Sequence, residues 1–346
     1  KVIVEYNQGW LATNLEKTSA SGFRNVGNAD AQLKMATKKI DAIYEVPFLA
    51  HAAMEPINCT AQVKDGKCEV WVSTQVPSIA QWKASKAAGV SGENTTIHTT
   101  LLGGGFGRRL EIDMIEQVVH IAKQLGGRPV QMIWTREEDM QHDMYRPIAM
   151  SKFVGALDDK GQISAWTNRV AAPSVGFDTM QRLMGSMAMD MPDKNHIEGA
   201  FDQPYEIANM KIEQVRSETP VPVGSWRSVG HSYNAFFVES FMDEMAHAAG
   251  KDPYEFRKSL LQNHPRHRAV LELAASKAGW GQPIAVGTAR GIALHESFAG
   301  ICAQVAEVSI DKENNIKVNR VTCAIDCGSV VNPKIVEQQM ESAIIF

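Results

Sequence analysis

Apolar positions follow two periods along this chain. Ile112, Ile115, Val118, Val119, Ala122 and Leu125 recur at helical spacing and stop at Gly126-Gly127, which predicts an amphipathic helix. Similar reasoning gives helices over Pro77 to Ala88 (capped by Gly89), Asn234 to His247 (ended by Gly250), Asp252-Pro253 to Leu261, and Arg268 to Ala278 (closed by Gly279). Runs rich in β-branched residues predict strands at Val2 to Tyr6, Lys38 to Tyr44, from Thr60, Glu69 to Thr74, Thr96 to Leu102, and Val130 to Trp134. Four more follow at Ser151 to Leu157, Gln162 to Ala171, Ala303 to Ile310 and Ile316 to Ile325. Lys64 to Lys67 is a hairpin turn, Thr135 to Asp139 a charged turn, and the Met- and Gly-rich stretch 173–200 soft packing or a mobile loop. Hairpins mix with helices without strict alternation, so the expected class is α+β with mixed sheets.

The expected division is a strand end and polar connector over 1–40, a large unit over 41–290 and a second unit over 291–346. A first strand already under way and a final helix from Asn332-Pro333 with no terminating residue together suggest a piece of a longer polypeptide.

Composition narrows the function. The net charge of −4 over 346 residues lacks the basic excess of a nucleic-acid binder. No apolar run reaches the ~18 residues of a membrane span. The five cysteines (Cys59, Cys68, Cys302, Cys323, Cys327) are scattered without CxxC, which fits free thiols better than a zinc or iron–sulfur site. The compartment stays open between cytoplasm and periplasm.

The densest chemistry lies at Gly103-Gly104-Gly105-Phe106-Gly107-Arg108-Arg109, between a strand and the helix above. Glycines let backbone approach a ligand, helix-start N–H groups favour an anion, and arginine can fork onto phosphate. The loop therefore reads as a cradle for a phosphate-bearing cofactor, or as a tight turn with two solvated arginines. Neither GxGxxG nor a following Lys-Ser/Thr is present. Gln75 ends a strand and offers a carboxamide to a ligand or to its own loop. Arg227 follows Trp226 and would reach a ligand or stack on that ring. His295 and Glu296 are adjacent on a strand and point to opposite faces, against a direct acid–base pair. His51 and Glu55 would share a helical face but lack a third metal ligand.

In their order along the chain, these segments resemble the molybdenum hydroxylases, the xanthine dehydrogenase and aldehyde oxidase family. The carriers are Ser73-Thr74-Gln75, Gly103 to Gly107, Trp226 to Gly230, Glu239 to Glu244, Asp326-Cys327-Gly328, and Asn332-Pro333 with Gln339-Met340-Glu341. Arg108-Arg109, Trp134 to Glu137, His142 to Pro147 and Gly291 to His295 favour the isoquinoline 1-oxidoreductase branch.

The resemblance implies a mixed-sheet molybdopterin-binding fold, with 1–40 as the tail of a small hammerhead-like domain and the two later units as molybdopterin-binding subdomains, the second truncated. It implies a molybdopterin with molybdenum, often as the cytosine dinucleotide. The implied reaction is hydroxylation beside a ring nitrogen, or of an aldehyde carbon, with oxygen from water. Electrons would pass to a small subunit with two [2Fe–2S] clusters. By the same resemblance, Gln75 hydrogen-bonds an oxo ligand of the metal, Gly105 and Phe106 offer backbone N–H groups, and Arg227 holds its loop over the site. Gly103, Gly104, Gly107 and Arg108 complete the cofactor loop, and Gln339 binds the pterin. Leu110 and Val229 stand where purine-oxidising relatives carry a Glu and a Phe, which implies a drier pocket. The family's GVGE glutamate, its general base, and its Gly-Gln-Gly loop are absent. This stretch alone is therefore expected to be inactive and to lack cofactor. A non-catalytic binding module that keeps the fold is the rival reading.

Overall fold

The computed structural model describes residues 2–17, 20–187, 189 and 191–345. In chain order the first half runs α1 (Val2–Lys17), β1 (Ser21–Val26), α2 (Ala29–Met35), β2 (Lys38–Val46), β3 (Asn58–Lys64), β4 (Lys67–Val72), α3 (Pro77–Ala88), β5 (Thr95–Thr99), α4 (Asp113–Gln124), β6 (Val130–Ile133), α5 (Arg136–Gln141), β7 (Ala149–Leu157) and β8 (Ile163–Ala172). The rest runs α6 (Val175–Met184), α7 (Lys194–Ile197), β9 (Met210–Arg216), α8 (His231–Ala248), α9 (Pro253–Ser259), α10 (Pro265–Ala278), β10 (Thr288–Ser297), β11 (Gly300–Ile310), β12 (Ile316–Asp326) and α11 (Pro333–Ile345).

Among the described residues three sheets form, in the orders β1-β9-β8-β7-β2, β5-β4-β3-β6 and β10-β11-β12. The first two mix parallel and antiparallel pairs, since β8–β9 and β4–β5 are parallel. The β3–β4 hairpin closes through Asp65 and Gly66, both at positive φ (49° and 72°), as a two-residue loop requires. Its four-stranded sheet packs on α3 and α4. Met114, Ile115, Val118, Val119 and Ala122 of α4 face Cys59, Ala61, Val70 and Val72.

The larger core joins the five-stranded sheet, helices α8 to α10, and one face of the three-stranded sheet. Its layers are tied by a buried ion pair. Glu239 accepts from Arg257 Nε at 2.9 Å, from Tyr205 at 2.8 Å and from the Leu294 backbone N–H at 2.9 Å. One carboxylate thus connects α8, α9 and β10.

Several elements differ from expectation. Val2 to Tyr6 is helical, because α1 presents Leu11 and Leu15, one turn apart, to Ile148, Met150 and Val215. The span expected as a polar connector contains β1 and α2, and β1 is an edge of the five-stranded sheet. Thr135 to Asp139 is the start of a short helix, with Thr135 Oγ1 accepting from the Glu138 N–H at 3.2 Å. Stretch 173–200 holds α6, capped by Ser174, and α7, capped by Asp193. The helix expected from the Gly loop begins at Asp113, after a 3₁₀ turn over Arg108–Leu110.

Candidate functional site

The end of β4, the Gly loop and the loop before α8 meet in one place. Past Val72 the chain is fastened to the loop by backbone: Gln75 N–H donates to the Arg109 carbonyl at 3.0 Å, and Thr74 Oγ1 donates to the same oxygen at 3.3 Å. The Gln75 side chain then lies over the loop, its Oε1 accepting from Gly107 N–H at 3.3 Å. Glycine at 105 makes room for it, since a Cβ there would stand 2.8 Å from Oε1. A Cβ on Gly107, at φ 108°, would stand 1.9 Å from the Ser225 carbonyl oxygen. Phe106, Ser228 and Val229 hold left-handed backbone, at φ 54°, 77° and 50°. Such strain collects where surroundings over-determine a loop.

The arginine doublet does something other than expected. Neither guanidinium is solvated, and neither is free to fork onto phosphate. Arg108 pairs with Asp113 through two bonds of 3.0 and 2.9 Å, and its Nε lies 3.1 Å from Asp143. Arg109 donates to the Glu55 backbone carbonyl at 2.9 Å and lies 3.0 Å from the Glu55 carboxylate. Both side chains are nearly wholly buried. Burial requires such pairing, so both brace the loop from behind.

Two residues weighed as metal ligands belong to this bracing. Residues 47–57 contain no helix, so His51 and Glu55 do not share a helical face. Glu55 accepts from Gly103 N–H at 2.7 Å. Burial raises its carboxyl, but the Asn58, Gly103, Arg109 and Ser73 partners outweigh that and leave it below its ordinary value. His51 places Nδ1 2.9 Å from Asp143 and Nε2 2.8 Å from the Ser225 carbonyl. No cluster of three metal-ligating side chains occurs among the described residues.

The open side faces a cavity of about 360 Å³ lined by Leu49, His51, Ala52, Phe106, Trp226 and Arg227. Arg227 N–H donates to the Phe106 carbonyl at 2.6 Å. Its exposed guanidinium stands 5.1 Å from the Phe106 ring rather than on Trp226, which packs on His51 at 4.6 Å. Among the described residues, the Gly104 and Gly105 N–H groups, the Gln75 Nε2 and the Arg227 guanidinium have no hydrogen-bond acceptor. A loop with unspent N–H donors, beside carboxylates already paired with arginine, suits an anion. The residues present therefore fit a phosphorylated, oxygen-rich cofactor.

Half-buried Leu110 closes the 3₁₀ turn with its N–H on the Gly107 carbonyl at 3.0 Å, and half-buried Val229 turns back onto Trp226. Gln339 is exposed on α11, and no hydrogen bond joins it to the loop among the described residues. His295 and Glu296 do face opposite ways: His295 Nε2 meets His231 Nδ1 at 2.9 Å, and Glu296 meets His267 at 2.7 Å. All five cysteines are free. Sequence reasoning missed Asp143. The signal was the arginine doublet itself, because two buried guanidiniums demand carboxylates from elsewhere in the chain.

Comparison with known proteins gives a consistent neighbourhood. A family model described as molybdopterin cofactor-binding domain matches residues 13–261, and a second of that description matches 242–346. The chain is 32% identical over 344 residues to isoquinoline 1-oxidoreductase subunit beta of Brevundimonas diminuta, covering 98% of this chain and 42% of the relative. It is 28% identical over 348 residues to a membrane-bound aldehyde dehydrogenase (pyrroloquinoline-quinone) of Gluconacetobacter polyoxogenes, covering 93% and 45%. It thus spans less than half the length of either relative. The fold is similar to that of quinoline 2-oxidoreductase from Pseudomonas putida 86, with a TM-score of 0.64 at 17% identity over 87% of this chain and 42% of that one.

Proposed function

The chain belongs to the molybdopterin cofactor-binding domain family of the molybdenum hydroxylases, and on that premise we propose that it forms the cofactor cradle of a hydroxylase large subunit acting on an N-heteroaromatic substrate. The observation that carries this is the set of unspent donors at Gly104, Gly105, Gln75 and Arg227 on a loop braced by carboxylate–arginine pairs. When bound, a molybdenum–molybdopterin, in the proposed cytosine dinucleotide form, supplies two-electron oxidation with oxygen drawn from water.

This chain's residues bind and orient. The backbone N–H groups of Gly104 and Gly105 and the Gln75 Nε2 would donate to the cofactor's oxygens. Arg227 adds positive charge at the cavity mouth, and Gln339 contributes to the pterin. Arg108 acts through the loop: its carboxylate pairs fix the backbone that carries the donors. Leu110 and Val229 offer a substrate no charged partner, so a purine's polar edge would lose hydrogen bonds at roughly 1–3 kcal/mol per buried group. A flat, mostly apolar ring suits them better.

The released electrons need an acceptor. The five thiols include no clustered set of four, so a partner small subunit with two [2Fe–2S] clusters completes the proposal. Aldehyde oxidation is the second reading, favoured by the name of the Gluconacetobacter relative. The test compares kcat/KM for isoquinoline, an aromatic aldehyde and xanthine on the full-length protein with its small subunit. Isoquinoline should lead. An aldehyde in first place selects the second reading, and xanthine in first place overturns both. No turnover by a folded, metal-loaded protein would leave the non-catalytic binding module.

A further inference from the structure

The three-stranded sheet has one face in the core and one left half-open. Ile292, Leu294, Ala303 and Val305 point inward, and the alternate residues point the other way. On that outer face, Cys302 of β11 and Cys323 of β12 lie diagonally across the pair, in the register Cys302↔Ile325 and Gln304↔Cys323. Their sulfurs are 3.6 Å apart, and Gln304 Nε2 donates to Cys302 Sγ at 3.8 Å. Both cysteines are half-buried and neither is in a disulfide.

We propose that Cys302 and Cys323 form an oxidisable dithiol, a modification site where a small disulfide oxidant closes a cross-strand disulfide between β11 and β12. Bonded sulfurs stand about 2.05 Å apart, so closure asks the sulfurs to approach by roughly 1.5 Å, which for a diagonal pair includes a small shift of the two strands. Cys302 is the attacking sulfur. The Cys323 S–H bond, opposed by burial and aided by the Gln304 amide, brings the Cys302 thiol below its ordinary value, while the same bond pushes Cys323 up.

The chemistry balances. The Cys302 thiolate attacks one sulfur of the oxidant, forms a mixed disulfide and expels one small thiolate. That thiolate takes the Cys323 proton. The Cys323 thiolate then attacks the Cys302 sulfur, forms the cross-strand bond and expels the second small thiolate, which takes up the proton that Cys302 released on ionising. Two protein thiols are oxidised as one small disulfide is reduced to two thiols.

The test uses full-length protein carrying C327S, because Cys327 is exposed and close to Cys323 in sequence. After incubation with glutathione disulfide, unreduced peptide mapping should find Cys302 joined to Cys323, two hydrogens lighter than the free pair. Adding C323S should leave a lasting glutathione adduct on Cys302. The pH midpoint for iodoacetamide alkylation of Cys302 should lie below the ordinary thiol value of about 8.5 in C327S, and should move up toward it once Cys323 is replaced. Cys302 and Cys323 left unlinked in folded C327S protein, or an alkylation midpoint indifferent to C323S, would overturn the proposal.

Discussion

Asp143 shows how much of this site rests on one buried side chain. It touches the His51 ring, the His51 backbone N–H and Arg108 Nε. Removing one partner of a buried ionic network typically costs about 3–5 kcal/mol, because a charge stays buried and unpaired. Asp143→Ala is therefore expected to lower unfolding stability by about that much in urea titration. A loss below about 1 kcal/mol would show that the network is not tight.

His196 gives a pH signature at the same scale. Burial pushes it down from 6.5 to about 4. The unfolded chain then binds a proton that the folded chain refuses between those values. This contribution should be absent above pH 6.5, grow as pH falls toward 4 and level off below that. His196→Gln should flatten this part of the stability–pH curve, and an unchanged slope would contradict the assignment.

At the scale of elements, the Gly loop is held by backbone fit more than by its own sequence. Gly107 sits at φ 108° with the Ser225 carbonyl where a Cβ would go. Gly107→Ala should push the Ser225–Val229 segment off Phe106 and break the Arg227 N–H bond. Heightened amide exchange at Arg227 in a folded variant would report this, and unchanged protection would refute it.

Legibility in the sequence divides along the same line. α3 is found to the residue because Pro77 and Gly89 mark both ends. α4 is found because its apolar face is regular. β9 was missed, and of β10 only the His295-Glu296 end was placed on a strand. β9 interleaves Lys, Glu and Gln with buried Met210 and Ile212, and β10 is built from weak strand formers held by pairing with β11. The loop's glycines were visible, but not the inward turn of Arg108 and Arg109. Asp113 lies close by in sequence, but Glu55 and Asp143 are distant and only the fold brings them to the arginines.

For the whole molecule, the central claim is that these parts form a cradle for a molybdenum–molybdopterin. The segment after β2 supplies Leu49 to Ala52, the β4 end supplies Gln75 and the turn before α8 supplies Arg227. The direct measurement is the molybdenum-to-protein ratio of the full-length protein and its Gly105→Val variant, by metal analysis, with folding checked by circular dichroism. A branched side chain at 105 would overlap Gln75 Oε1 and the space before the donors. The account predicts near-stoichiometric molybdenum in the parent and little in a folded variant. Equal occupancy in both would contradict it and reduce the loop to a turn.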